Sequence, residues 1–306
     1  MLLEELISFA QQIINGITLG SVYALIALGY TMVYGIMELI NFAHGEIYMI
    51  GSFVGMFCYV SLKVPFPVAF AAAMATSSIL GMTVERIAYR PLRRSPRIAM
   101  LISAIGVSIL LQNLGIRFWG PQARPFPRPF NVVIYQIAEI ATDGLPLRIQ
   151  ISSMQLFIML ISITLMIALT YLVQKTKIGK AMRATAQDKE TSALMGVNIN
   201  HVISFTFAIG SALGGAAGVL IGIYFNSVFP TMGVMPGLKG FVAAVLGGIG
   251  YIPGAMVGGL VLGLLEVLGA AYISSALKDA IAFSILIVIL ILKPTGLLGR
   301  QTQEKV

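Results

Sequence analysis

The chain has 306 residues, 58% of them hydrophobic and 10% charged, with a mean hydropathy of +0.91. Soluble domains carry roughly 25% charged residues, so a soluble globular protein is excluded. The net charge of +8 does not imply nucleic acid, because lysine and arginine collect beside membrane spans on one side of the bilayer.

Several apolar runs exceed the ~18 to 20 residues that a helix needs to cross a ~30 Å hydrocarbon core. They are continuous and lack the alternation of barrel strands. The expected fold is therefore all-α, a polytopic membrane bundle of about eight to nine spans in one transmembrane domain over residues 1–306. The N-terminal MLLEELISFAQQ has no basic n-region and no small-residue cleavage site, so a cleavable signal is not expected. The single cysteine, Cys58, lies in an apolar run and reads as a core residue.

In chain order the spans are expected near residues 10–34, 45–62, 66–88, 98–118, 153–174, 201–225, 237–250, 254–276 and 278–293. Segments 35–48 and 237–252 hold glycine or polar residues and read as short, broken or re-entrant helices, which bilayers tolerate only where protein or a cavity surrounds the backbone. The first contains INFAHGE, with Asn41, His44 and Glu46 between apolar runs. It is either a polar turn at a membrane face, on the cytoplasmic side, or a broken helix whose Asn41, His44 and Glu46 line a path or its inner gate.

The next connection, ERIAYRPLRRSPR, is rich in arginine, and residues 175–200 open with a basic stretch. Both are expected to be cytoplasmic, as is the C-terminus with Lys293, Arg300 and Lys305. Glu85 and Arg86 are explained by snorkelling at that interface. Residues 119–152 form the one long external connection. The turn signal Asp143-Gly144 followed by the alternating LRIQIS gives this loop or cap hairpin character.

From Ile178 a helix-favouring stretch runs to Gly196 and reads as one short amphipathic helix, compatible with a helix resting on lipid headgroups. In FAIGSALGGAAGVLIG, Gly210, Gly214, Gly218 and Gly222 recur every fourth residue, and Gly254 and Gly258 repeat the spacing. Such faces let helix backbones approach closely. The two Gly-containing broken segments point to an internal repeat. Lys239 and Glu266 lie within spans, where charge is costly and marks either a path or a structural ion pair.

There is no GxxxxGK[ST] loop, GxSxG elbow, HExxH or Cys/His cluster, so no catalytic residue and no metal site are assigned. The segment ATAQDKETSALMG resembles the coupling loop of ABC-transporter permeases. It occurs in order with NGITLGSVYALIALGYTMVYGI, INFAHGE, VERIAYRPLR, LISAIGVSILLQN, AAVLGGIGYIPGAMVGG and LKPTGLLGR. Together these resemble the branched-chain amino acid ABC transporter permease family over nearly the whole chain.

That resemblance implies an inner-membrane transport subunit of a bacterial or archaeal cell that carries Leu, Ile or Val and is not itself an enzyme. It implies a second related permease chain, two ATP-binding subunits that hold ATP and Mg, and an extracytoplasmic substrate-binding protein. The ATPase-coupling positions would be Ala184, Ala186, Asp188, Glu190, Ala193, Leu194, Met195 and Gly196. A urea or short-amide permease shares the AHGE-type segment. A channel or an ion-coupled secondary transporter is opposed by the coupling-like loop and the scarcity of intramembrane carboxylates.

Overall fold

The computed structural model describes residues 2–93, 95–140 and 147–299. The first helix, α1 (Leu2–Met37), ends where Glu38 takes a left-handed φ of 54°, a conformation that resists continued helix in a residue with a side chain. After the 38–43 break comes α2 (His44–Met56), which runs into a π-helical stretch, Phe57–Ser61. Pro65 sets the start of α3 (Phe66–Val84), which continues as a second π-helical stretch, Glu85–Tyr89. Pro96 likewise precedes α4 (Arg97–Trp119), since proline fits a helix start and no interior position.

Strands β1 (Arg124–Pro125), β2 (Ile134–Ile140) and β3 (Leu147–Ser152) follow. β2 and β3 pair antiparallel, with Gln136 opposite Gln150, so LRIQIS is a hairpin strand as expected. The turn at Asp143-Gly144 lies outside the described residues, as do Arg300 and Lys305. A capping box between Ser152 and Gln155 opens α5 (Ser153–Lys175). Next are α6 (Lys177–Gln187), α7 (Lys189–Leu194) and α8 (Ile199–Tyr224). Strand β4 (Ser227–Val228) pairs antiparallel with β1, then α9 (Val234–Gly247), α10 (Ile252–Tyr272) and α11 (Lys278–Leu292) complete the chain.

Among the described residues, seven helical segments are long and apolar enough to cross a membrane. The remaining two of the nine expected spans are α2 and α9, with 13 and 14 residues. At 1.5 Å per residue α9 is about 21 Å long, short of a ~30 Å core, whereas α2 runs on through the π-helical stretch to Ser61. The 38–43 break lies within segment 35–48 and α9 overlaps segment 237–252, the two expected to be broken or re-entrant.

The packing is built from two equivalent sets. α1 lies along α10, with Gly16 opposite Leu264 and Gly20 opposite Leu260; α8 lies along α3, with Gly215 opposite Ser77 and Ser211 opposite Gly81. Both pairs are antiparallel. α2 packs on α8 and α3 as α9 packs on α1 and α10, and α4 touches α2 as α11 touches α9. Exchanging α1, α2, α3 and α4 for α8, α9, α10 and α11 thus maps the contacts onto themselves, which is the internal repeat. At its centre α1 meets α8, and α2 meets α9 where Gly45 abuts Gly233 and Gly237.

The glycine faces place backbone against backbone. Gly210 meets Gly29, Gly218 meets the Tyr48 carbonyl, Gly222 meets Ser52, and Gly254 and Gly258 both press on Gly247. Lipid supplies no hydrophobic drive for helix association, so this close packing does that work.

The α6–α7 segment, the Gly250–Pro253 connection and the C-terminal Leu297 and Leu298, whose amides bond Leu246 and Gly247, share one end of the bundle. Arg93 joins them through Asn200 of α8. We call this the basic face. The β2–β3 hairpin marks the opposite face, where Gln150 bonds Gln11 of α1.

Candidate functional site

The 38–43 break folds back inside the bundle. Asn41, 2% exposed, closes it: its Oδ1 accepts from the Ala43 amide at 3.1 Å and from the Tyr89 hydroxyl at 2.6 Å. His44 opens α2 wedged between Gly29 of α1 and Gly214 of α8, with Tyr30 edge-on at 4.8 Å. Gly214 lies about four turns, roughly 22 Å, along α8 from its start on the basic face. His44 is therefore mid-bundle, which sets aside the first of the two expected readings, a turn at a membrane face, and leaves the broken helix. The reason is the left-handed Glu38, which sends the chain back beside α1 and away from its end.

Glu46, two residues on, accepts from Ser108 of α4 at 3.2 Å and lines a cavity of about 150 Å³ between α2, α4 and α9. Asn41, His44 and Glu46 thus meet three different neighbours: Tyr89, the α1–α8 crossing and α4. They do not converge on one point.

Lys239 and Glu266 do converge. Lys239 Nζ of α9 lies 2.7 Å from Glu266 Oε1 of α10 and 2.6 Å from Asp279 Oδ1 of α11, and the Tyr23 hydroxyl of α1 donates to Glu266 Oε2 at 2.9 Å. Lys239 and Glu266 are 4% and 5% exposed. The cluster walls a chamber of about 600 Å³ whose other surfaces include Leu19, Ile26, Ile221, Met232 and Val267. Asp279 and Tyr23 escaped the sequence reading: Asp279 precedes an apolar run and looks like a span boundary, and nothing in the spacing of Tyr23 relates it to Glu266, 243 residues away.

On the basic face the expected single helix of residues 178–196 is two. Asp188 is extended, with φ −157°, and ends α6; its carboxylate then caps α7 by accepting from the Glu190 and Thr191 amides at 2.9 and 3.0 Å. A residue that prefers capping over helix interior breaks the run. Ala184, Ala186, Asp188, Glu190, Ala193 and Gly196 are exposed, and Leu194 and Met195 form an apolar tip, 87% and 80% exposed.

Glu85 is fully buried, which corrects its reading as a snorkelling interface residue. It pairs with Arg93 and with Arg90 at 3.7 Å, and accepts from Ser204 of α8 at 2.5 Å. Burial draws the Arg93 guanidinium down from its ordinary value, and the Glu85 carboxylate opposes that shift. Glu85 ties the arginine-rich connection to the first turns of α8, directly after α7.

A family model described as branched-chain amino acid transport system / permease component matches residues 12–290. The high-affinity branched-chain amino acid transport system permease protein LivH of Escherichia coli (strain K12) is 44% identical over 313 residues, covering 99% of each chain. BraD of Pseudomonas aeruginosa, described in the same words, is 44% identical over 314 residues, covering 99% of this chain and all of its own. The ribose import permease protein RbsC of Haemophilus influenzae is 26% identical over 83% of this chain. The chain belongs to the branched-chain amino acid transport system permease family.

Proposed function

We propose that the chain is one of two permease subunits of an ATP-driven importer for leucine, isoleucine and valine in a bacterial or archaeal inner membrane. The basic face, with the C-terminus, is cytoplasmic, as the bias of lysine and arginine favours. Two separate ATPase subunits bind ATP and Mg and dock on the α6–α7 corner; a binding protein delivers the amino acid on the hairpin face. The second permease is a related but different chain.

The observation that carries this reading is the Leu194–Met195 tip. Two large apolar side chains stand almost wholly exposed beside Asp188 and Glu190, in a chain whose sequence holds no phosphate-binding loop. A partner that hydrolyses ATP has a knob to grip there. Force on α7 passes to α8 through the short 195–198 link and reaches α3 and α4 through Glu85 and Arg93. Asn41, His44 and Glu46 sit where the two short helices meet and would move with them. Lys239 and Glu266 face the chamber that the cargo crosses.

The test is reconstitution of the whole complex in liposomes with ATP inside. Leucine-loaded binding protein is expected to stimulate ATP hydrolysis and leucine uptake together. Stimulation by urea instead, or uptake that persists without the ATPase subunits, overturns the reading.

A further inference from the structure

The chamber beside α9 has a polar wall that the coupling scheme leaves unused. An ammonium group has three N–H donors, and Lys239 directs two of them, to Glu266 and Asp279. The second oxygen of Glu266 is taken by Tyr23. Tyr48 also lines the chamber; it is wholly buried, and its hydroxyl has no hydrogen-bond partner among the described residues. Lys278 stands at the wall next to Asp279. The two lysines and two carboxylates carry formal charges that cancel.

We propose that this chamber is a transient subsite for a zwitterionic aliphatic amino acid, which docks on the hydrogen-bonding positions that the Lys239–Glu266–Asp279 cluster leaves open. The proposal rests on the permease reading and names where its cargo pauses.

The docking works because both parties are neutral overall. The ligand carboxylate takes the third Lys239 donor and the Tyr48 hydroxyl, and its ammonium takes the outer oxygen of Asp279. A net cation or anion would leave one buried charge unpaired, which is strongly unfavourable in a low-dielectric interior. When the chamber is empty the cluster pairs with itself, so no lone charge retains the cargo. The remaining wall of Leu19, Ile26, Ile221, Met232 and Val267 suits a branched aliphatic side chain. The volume of about 600 Å³ falls within the ~300 to 1,000 Å³ of small-molecule sites.

The test uses the full complex in lipid nanodiscs, with labelling read on this chain's own band, Cys58→Ser removing this chain's only native thiol and Met235→Cys placing a maleimide-reactive thiol at the chamber, where Met235 is 46% exposed. Thr231→Cys is a second reporter on the same wall. Leucine is expected to slow labelling at least threefold, whereas lysine and glutamate leave the rate unchanged. Asp279→Asn is expected to raise the half-protecting leucine concentration about tenfold; this side chain is 36% exposed, so its loss leaves the assembly intact. Leucine that fails to protect either thiol in a complex that imports leucine overturns the subsite and leaves the permease reading standing. Failure of that complex to import leucine overturns both.

Discussion

Asn41 closes two contacts with one oxygen, capping the turn before α2 and receiving the Tyr89 hydroxyl from the far end of α3. Removing it leaves a buried hydroxyl unpaired, and that penalty exceeds the net worth of the bond itself. Asn41→Ala is therefore expected to destabilise the detergent-solubilised chain more when Tyr89 is present than in a Tyr89→Phe background. The difference should be about 0.6 to 1.7 kcal/mol, the span measured for side-chain hydrogen bonds between membrane helices; thermal unfolding of the four proteins of the cycle reads it. Equal losses in both backgrounds would show that Asn41 acts only as a cap. At this scale the sequence marked Asn41, His44, Glu46, Lys239 and Glu266 as unusual because charge and polarity stand out in an apolar run. It could not name their partners, since Tyr89, Ser108, Tyr23 and Asp279 are brought to them by helix crossings that no local pattern encodes.

Among the elements, α7 is the most exposed to failure on its own. It spans six residues, too few to be stable in isolation, and it depends on the Asp188 cap. Losing such a cap costs about 1 kcal/mol. Asp188→Ala is thus expected to weaken ATPase capture several-fold, while Asp188→Asn, which keeps the acceptor oxygen, stays near the parent. Leu194→Glu combined with Met195→Glu should reduce capture at least tenfold, because two charges replace the apolar tip. Co-purification of the ATPase subunits at increasing salt measures all three; unchanged capture by the double variant would remove α7 from the docking surface. Among the described residues, the seven membrane-length helices and the additional α2 and α9 were legible in the sequence, since each is an apolar run bounded by proline, glycine or charge. The split at Asp188 was not, because Ala, Arg, Gln, Lys, Glu and Met continue on both sides and the competition between capping and propagation is settled by a single side chain.

The whole molecule is held by two long crossings that the internal repeat makes equivalent, α1 on α10 and α8 on α3. A Cβ at Gly20 would lie 2.8 Å from the Leu260 Cα, and one at Gly215 would press on the Ser77 side chain and lie 3.2 Å from the Ala73 carbonyl oxygen. In each case the obstacle includes backbone, which cannot swing aside as a side chain tip can. Gly20→Leu and Gly215→Leu are therefore both expected to cost the upper end of the ~1 to 3 kcal/mol typical of overpacking, and to do so in the same range as each other. Gly106, in α4, has no atom within 4 Å of such a Cβ. Replacing a glycine inside a helix by leucine gains about 1 kcal/mol of helix propensity when nothing opposes it, so Gly106→Leu should be neutral or slightly stabilising in the isolated chain. Yield of folded protein from a fluorescent fusion, followed by thermal unfolding in detergent, separates the cases. If Gly215→Leu folds as well as Gly106→Leu while Gly20→Leu does not, the two crossings are not energetic equivalents, and α1 on α10 alone carries the bundle.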